Sequence, residues 1–226
     1  MVQAAERKQQ IGLLGGTFDP VHNGHLAVAG YVLQALGLDA VWFIPAALPP
    51  HKDGHADGRD ISAFAHRLAM LQAAVAEIKS FVVSDIEAKR STPSYSIDTI
   101  EIMLPQVGDQ ADLLFIIGAD AFLEIDTWKR YRELPTLVSF VIISRPNYSP
   151  EAIGKIISEN FTGYQYDHSS ETWSSPNSNG SFILQHMEPV LISSTDIRER
   201  VRKGKDINGL VPPAVADYIR THGLYK

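Results

Sequence analysis

The stretch IGLLGGTFDPVHNGHL, residues 11–26, decides the fold because it joins an apolar strand to a helix through a glycine turn. Residues 11–16 are apolar without alternation, which is typical of a strand buried on both faces. Asp19 and Pro20 form a turn signal that ends the strand and starts a helix over residues 22–36. The stretch therefore predicts one strand–turn–helix unit of a parallel α/β sheet.

The rest of the chain repeats this alternation of short apolar runs and longer segments of helical period. The predicted strands cover residues 41–44, 81–84, 113–117 and 137–143, and the predicted helices cover residues 61–78, 95–104, 150–160, 195–203 and 213–222. We therefore predict a doubly wound, Rossmann-like parallel sheet with helices on both faces and a helical C-terminal end. Residues 51–60 predict a charged loop, and residues 162–181, rich in Ser and Asn, predict either a mobile loop or a divergent hairpin.

Composition bounds the class of protein. The chain has 226 residues, 45% of them hydrophobic, enough for one large domain with a buried core. We expect a flexible N-terminal extension over residues 1–9 and a single domain over residues 10–226. The net charge of −6 argues against a general nucleic-acid partner, and the lack of cysteine excludes disulfides and thiolate metal sites. Without a signal-peptide or membrane-helix pattern, the expectation is a cytoplasmic protein with no membrane partner.

Two histidines three residues apart open the first predicted helix. Gly15 and Gly16 lack Cβ atoms, so a phosphate can approach the backbone amides closely. His22 and His25 would share one helix face beside free N–H groups at the positive end of the dipole, with Gly24 leaving space between them. That arrangement suits the negative charge that develops on phosphorus during nucleotidyl transfer. The alternative is a glycine-rich turn with two surface histidines, and the twelve residues together favour the phosphate site.

The segment ISSTDIR, residues 192–198, predicts a second helix start beside an anion. Ser193 and Asp196 have the spacing of a capping box. Arg198 would lie on the first helical turn, where its guanidinium can fork onto phosphate oxygens. The alternative is an ordinary capped helix with a solvated arginine, and the histidine motif favours the phosphate role.

Two further residues follow buried strands, where ligands bind in such folds. Asp120 can accept hydrogen bonds from ribose hydroxyls, or it can cap a helix. Arg145 is a phosphate candidate by position. No histidine spacing suggests a metal site, so the predicted set of metal ligands is empty.

Residues 15–26 resemble the H-x-G-H signature of the nucleotidyltransferase superfamily, which shares ancestry with class I aminoacyl-tRNA synthetases. Other segments are similar to the bacterial nicotinate-nucleotide adenylyltransferase family: PPHK, PSYSIDT, IGAD with a tryptophan beyond it, SRP, and residues 192–225. The resemblance runs from about residue 10 to the end of the chain. It implies transfer of AMP from ATP to nicotinate mononucleotide, giving nicotinate adenine dinucleotide and pyrophosphate in NAD biosynthesis. Mg²⁺ is expected to arrive on the ATP phosphates.

The resemblance also implies roles for individual residues. The catalytic set is His22, His25 and Arg198. The ATP-binding set is Gly15, Gly16, Thr17, Phe18, His22, His25, Ser193, Ser194, Thr195 and Arg198. The nicotinate-mononucleotide set is Lys52, Ser94, Tyr95, Ser96, Asp120, Trp128 and Arg145. Within it, Trp128 would stack on the pyridine ring, and backbone amides near Tyr95 would face the carboxylate.

Several alternatives stay open at this stage. Lys52 either reaches a phosphate or is a solvated loop charge. Ser96 stands where the family often has threonine, and Lys129 stands where it often has an aromatic residue or histidine. Lys129 either favours an acid over an amide or points to water. The rival functions are a sister enzyme with phosphopantetheine or nicotinamide mononucleotide as acceptor, and a nucleotide sensor without turnover; a homo-oligomer is left open.

Overall fold

The computed structural model describes residues 7–49, 61–144, 149–188 and 190–226. The strands are β1 (Gln9–Gly16), β2 (Ala40–Pro45), β3 (Phe81–Val83), β4 (Ala111–Gly118), β5 (Ser139–Ser144), β6 (Gln165–Asp167), β7 (Thr172–Ser174) and β8 (Phe182–His186). The helices are α1 (Asn23–Ala35), α2 (Phe64–Val75), α3 (Ser96–Val107), α4 (Ala119–Phe122), α5 (Leu134–Leu137), α6 (Pro150–Asn160), α7 (Ser194–Arg202) and α8 (Pro213–His222).

All eight strands form one sheet in the order β3-β2-β1-β4-β5-β8-β7-β6. The first six strands in this order are parallel, and β7 and β6 continue the sheet in antiparallel fashion. The chain winds outward from β1 to β2 and β3 on one side, and from β4 to β5 and β8 on the other. The strand order therefore reverses between β1 and β4, and the crevice at their carboxyl ends is where such folds bind ligands.

The parallel strands carry a hydrophobic core on each face. Within β4, for example, Phe115 and Ile117 pack on one side while Leu114 and Ile116 pack on the other. Helices α3 and α6 cover the first core, and α1, α2, α7 and α8 cover the second. Burial on both faces explains why the central strands read as continuous apolar runs. The predicted doubly wound sheet with helices on both faces is confirmed.

Three element predictions need correction. The strand predicted from residue 137 begins at Ser139, because residues 134–137 form α5 with proline in its first turn. The helix predicted over residues 61–78 is shorter, at Phe64–Val75. Within residues 162–181 the hairpin alternative is confirmed as β6 and β7, but the sixth parallel strand, β8, was missed. It is short and alternates in burial, so it gives no continuous apolar signal.

The first described residues contact the rest of the fold. Strand β1 begins at Gln9, and Arg7 donates a hydrogen bond to Asp39 at 2.7 Å. Residues 7–9 are thus part of the folded unit, and the division into an extension and a single domain stays a prediction. Within the described ranges, no helix is both long and apolar enough to cross a membrane.

Candidate active site

The turn between β1 and α1 is held in place by side chains from distant helices. Phe18, at its centre, has a φ of +52°, a conformation that needs support in a non-glycine residue. Three backbone carbonyls of the turn accept hydrogen bonds: Thr17 from Arg67 at 2.7 Å, Asp19 from Arg198 at 2.7 Å, and Pro20 from Ser194 at 2.9 Å. The structure thereby ties the start of α7 directly to the segment that leads into α1.

The carboxylate of Asp19 lies beneath this turn, 3% exposed. Its oxygens accept hydrogen bonds from the Tyr225 hydroxyl at 2.6 Å and from the Ser62 amide at 3.2 Å. Burial is the main cause that raises the pKa of Tyr225, and the negative charge of Asp19 adds to it. Arg67, 2% exposed, is a buried cation that interacts electrostatically with this carboxylate. The members of this network are far apart in the chain, so no local sequence pattern indicates it.

His22 and His25 come together at the start of α1. Their rings stack with centroids 3.7 Å apart and planes at 23°, which confirms the shared helix face. The His22 backbone N–H donates to Nδ1 of His25 at 3.2 Å. This bond makes Nδ1 an acceptor, so the neutral His25 ring carries its proton on Nε2. Phe18 packs edge-on against His25 at 4.9 Å and helps to fix the ring.

Gly24 is needed here for a steric reason. A Cβ atom at this position would lie 3.0 Å from Nδ1 of His22, closer than ordinary side-chain contacts allow. The glycine therefore lets the His22 ring fold back over the first turn of α1. The predicted open space between the two imidazoles is therefore absent, because the rings stack on each other.

The prediction of free amides at the start of α1 is wrong for three residues. The His22 N–H donates to the His25 ring, the Asn23 N–H donates to the Leu210 carbonyl at 2.9 Å, and the His25 N–H donates to the His22 carbonyl at 2.9 Å. The donors that the helix start offers to an anion are therefore mainly imidazole groups.

Both histidines are neutral near pH 7. Burial lowers the pKa of His22 from 6.5 to about 4. Burial lowers the pKa of His25 to about 3, and the neighbouring His22 adds a smaller effect in the same direction. A bound anion would favour the charged form and raise both pKa values. In the free site the two imidazoles are therefore neutral hydrogen-bond donors. They become protonated more readily when a phosphate is bound.

These lowered pKa values predict a loss of stability in mild acid. The unfolded chain binds protons at these histidines below pH 6.5 and the folded chain does not, so the free energy of unfolding falls as pH drops from 6.5 toward 4. Each histidine contributes a slope of up to about 1.4 kcal/mol per pH unit. Urea unfolding at pH 7.5, 6.5 and 5.5 measures this slope, and His25→Asn should make it shallower. Parallel curves for the two proteins would contradict the assignment.

Two pockets, of about 340 and 350 Å³, adjoin at the carboxyl ends of β1 and β4 and share Leu14, Ile116 and Gly118. The polar groups of the first pocket are His22, Gly24, His25, Asp120, Glu188, Ser193 and Ser194, and its apolar wall includes Val28, Ile143, Met187, Val190 and Ile192. The second pocket is lined by Gly15, Gly16, Thr17, Glu87, Ser94, Tyr95, Ser96, Thr99 and Trp128, among others. The geometry fits two ligands that meet above the strand switch point.

The pockets divide the candidate residues differently from the sequence-based sets. Gly15, Gly16 and Thr17, assigned to ATP, line the second pocket, whereas Asp120, assigned to the mononucleotide, lines the first. A Cβ atom at Gly118 would overlap Oδ1 of Asp120, so this glycine lets the carboxylate fold back over the end of β4. Both groups lie close to the boundary that the two pockets share. Lys52 and Arg145 lie outside the described residues.

At the start of α7, half of the predicted capping box is present. The Ser193 hydroxyl accepts a hydrogen bond from the Asp196 amide at 3.1 Å. The Asp196 carboxylate instead pairs with Arg200 at 2.8 Å. Arg198 was expected to fork onto phosphate; in this structure its guanidinium donates to the Asp19 carbonyl and to the Thr195 hydroxyl at 3.2 Å. With five N–H donors, it retains capacity for a ligand.

The second pocket is built around the start of α3. Ser94 and Leu48 exchange two hydrogen bonds, of 2.8 and 3.0 Å, which fixes the segment that enters the helix. Trp128 is half-buried and packs edge-on against Phe115 at 6.0 Å, so it forms a wall of the pocket.

Lys129 neither projects into the pocket nor points freely to water. Its Nζ contacts both carboxylate oxygens of Asp98, at 2.8 and 2.9 Å, and lies 5.0 Å above the ring of Tyr95. The positive charge of Lys129 is therefore largely compensated by Asp98 on α3.

The second pocket is also lined by Glu87, which is buried. The sequence around it, DIEAKR, is polar and resembles a solvated segment, so it gives no sign of this burial.

The parallel sheet, the paired histidines at its switch point and the two adjoining pockets define a nucleotidyltransferase. A cytidylyltransferase-like family model matches residues 13–200. A relative from Desulfotalea psychrophila, named a probable nicotinate-nucleotide adenylyltransferase, is 38% identical over 224 residues, which cover 96% of this chain and 100% of the relative. A relative of the same name from Trichlorobacter lovleyi is 39% identical, with coverages of 96% and 99%. The chain belongs to the nicotinate-nucleotide adenylyltransferases, within the cytidylyltransferase-like family.

A solved structure with the same fold is nicotinic acid mononucleotide adenylyltransferase from Plasmodium falciparum, complexed with NaAD. It aligns with a TM-score of 0.71 at 20% identity and covers 96% of this chain and 97% of that chain. At this identity the match supports the architecture only.

Proposed function

We propose that the protein transfers AMP from ATP to nicotinate mononucleotide, forming nicotinate adenine dinucleotide and releasing pyrophosphate. The observation that carries this proposal is the stacked His22–His25 pair beside the junction of two pockets. One pocket opens toward the start of α7 and the other toward Trp128 and the start of α3. Two nucleotide ligands placed there would bring their phosphates together next to the imidazoles.

The reaction needs little activation of the nucleophile. The 5′-phosphate of the mononucleotide already carries negative charge and attacks the α-phosphorus of ATP in line, with pyrophosphate leaving. Nε2–H of His25 donates to an α-phosphate oxygen where negative charge grows. The His22 ring, stacked on His25 and lining the same pocket, would lie beside the same phosphate. Pre-positioned donors of this kind are typically worth several kcal/mol of transition-state stabilisation.

The start of α7 would hold the β- and γ-phosphates. Ser193, Ser194, Thr195 and Arg198 all lie on this segment, and anions bind favourably at helix N-termini. Arg198 would use the donors that the Asp19 carbonyl and Thr195 leave free. Asp120, in the same pocket, would accept hydrogen bonds from the ribose. Gly15, Gly16, Thr17 and Phe18 would position backbone groups between the two ligands.

Mg²⁺ would enter with ATP. The described residues hold no group of three or more His, Asp or Glu side chains that could hold a metal ion. The phosphates and water would supply most of its ligands, since Mg²⁺ often keeps several waters and binds substrate phosphates. The ion would neutralise charge on the leaving pyrophosphate.

The second pocket would take nicotinate mononucleotide. Trp128 offers a flat apolar face for the pyridine ring, and the Ser96 amide at the start of α3 would meet the carboxylate. The amides of Ser94 and Tyr95 already donate to the carbonyls of Leu48 and Pro93. Lys52 and Arg145 are proposed to contact the 5′-phosphate of the same ligand.

The test is pyrophosphate release with ATP and Mg²⁺, offering nicotinate mononucleotide, nicotinamide mononucleotide and phosphopantetheine in separate reactions. We expect turnover with the acid to exceed turnover with the amide by more than about tenfold, since one charge-assisted contact is worth about 1.5–3 kcal/mol. Equal turnover with the acid and the amide would still support adenylyl transfer, but it would refute recognition of the nicotinate carboxylate by the second pocket. Turnover with phosphopantetheine alone would refute the acceptor, and ATP binding without any turnover would indicate a sensor.

A further inference from the structure

A buried carboxylate lines the pocket that we assign to an acidic ligand. Glu87 is 6% exposed and lies on the short helical turn that follows β3. One of its oxygens accepts the Thr99 hydroxyl at 2.6 Å, and the other accepts the Ala47 amide at 3.3 Å. A negative charge in this place would repel the carboxylate of a bound nicotinate. The pocket therefore needs a compensating positive charge.

Arg90 supplies that charge from behind the pocket. Its Nη2 donates to the Thr99 hydroxyl at 2.9 Å and lies 3.8 Å from the Glu87 carboxylate. Thr99 thus connects the two charges by accepting from the arginine and donating to the glutamate. Nε and Nη1 of Arg90 are buried and have no hydrogen-bond partner among the described residues. The arginine therefore has donor capacity beyond what its bond to Thr99 uses.

The other charges around the start of α3 cancel separately. Lys129 is paired with Asp98, and Arg130 is paired with Glu101 and Glu133 at 2.9 and 2.6 Å. Among the described residues, Arg90 is the cation within 4 Å of the Glu87 carboxylate, and the buried Arg67 interacts with Glu87 from farther away.

We propose that Glu87 and Arg90 form a charge-compensating pair that keeps the floor of the second pocket neutral and so preserves the preference of this pocket for an acid over an amide. The pair rests on the proposed function, because it presumes that this pocket takes the pyridine mononucleotide. Both are specificity-determining residues that act through the pocket floor and touch no reacting atom. Without Arg90 the negative charge of Glu87 is uncompensated, and the preference for the acid falls. Without Glu87 the positive charge of Arg90 is uncompensated, and the preference for the acid rises.

The test compares kcat/KM for nicotinate mononucleotide with kcat/KM for nicotinamide mononucleotide on the same enzyme preparation. This ratio cancels the concentration of folded enzyme, so a destabilised variant still gives a valid result. Arg90→Met removes the positive partner of Glu87, so it is expected to lower the acid-to-amide ratio of kcat/KM about tenfold. Glu87→Gln removes the negative partner of Arg90, so it is expected to raise the same ratio about tenfold. The double variant should return close to the wild-type ratio, and Arg90→Lys should keep it.

Arg130→Met is the matched control, since it removes an exposed arginine near the same helix and should leave the ratio unchanged. For variants too slow to assay, the ratio of dissociation constants from quenching of tryptophan fluorescence gives the same comparison. If both single variants lower kcat/KM for the two substrates equally, the pair has only a structural role and the proposal is wrong, while the proposed function stands. If the wild-type protein turns over neither mononucleotide, the proposed function and this proposal both fail.

Discussion

Replacing His25 with alanine is expected to reduce turnover by at least about 10³-fold while ATP still binds within a few-fold of its wild-type affinity. The variant loses Nε2–H, the donor that the His22 backbone bond orients toward the pocket. ATP keeps its contacts with the α7 segment, so the loss falls on the transition state. Pyrophosphate release at saturating substrate and calorimetric binding of a non-hydrolysable ATP analogue separate the two quantities.

Two further variants sharpen this result. His25→Asn can still accept the His22 N–H but offers no donor at the Nε2 position, so it should be nearly as slow as the alanine variant. His168→Ala removes an exposed histidine on the β6–β7 hairpin and should leave turnover unchanged. Activity of either His25 variant close to wild type would refute the proposed role of the histidine pair.

Arg67→Met is expected to lower the free energy of unfolding by about 3–5 kcal/mol. The substitution removes a buried charge whose guanidinium holds the carbonyls of Thr17 and Ser62 at 2.7 and 3.0 Å. It also removes a buried positive charge that interacts favourably with the Asp19 carboxylate. Chemical unfolding in urea, followed by circular dichroism at pH 7.5, gives the difference from wild type.

A double-mutant cycle tests the cause of that loss. Arg67→Met combined with Asp19→Asn should cost less than the sum of the two single variants, because no uncompensated charge remains. Arg220→Ala serves as the control; its ion pair with Asp217, at 3.0 Å, is exposed and should contribute less than about 1 kcal/mol. A loss for Arg67→Met no larger than that of Arg220→Ala would refute the network.

The parts of the fold that could be predicted are those with a strong local pattern. Strands β1, β4 and β5 are buried on both faces and therefore read as apolar runs, and α6 and α8 have proline at their starts. Strand β8 was missed because its pairing with β5, across 42 residues from Phe140 to Phe182, has no local sequence signal. The order of the strands in the sheet is also set by pairing between distant segments. The spacing of hydrophobic residues along the chain does not predict it.

The same distinction holds for the candidate site. His22 and His25 were found because their spacing within one helical turn brings them together by itself. Asp19, Arg67 and Tyr225 were not found, since only the folded chain places them in contact. Glu87 and Arg90 were missed for a related reason: charged residues in a short polar segment resemble a solvated surface until burial shows otherwise.

The bond between Tyr225 and Asp19 joins residues 206 positions apart in the chain. During synthesis, β1 and the turn after it are made well before residue 225, so the carboxylate beneath that turn gains this partner only later. At about 5–20 residues per second, the delay is on the order of ten seconds or more. The nascent chain can therefore form most of its sheet while the segment bearing both histidines is still incompletely supported.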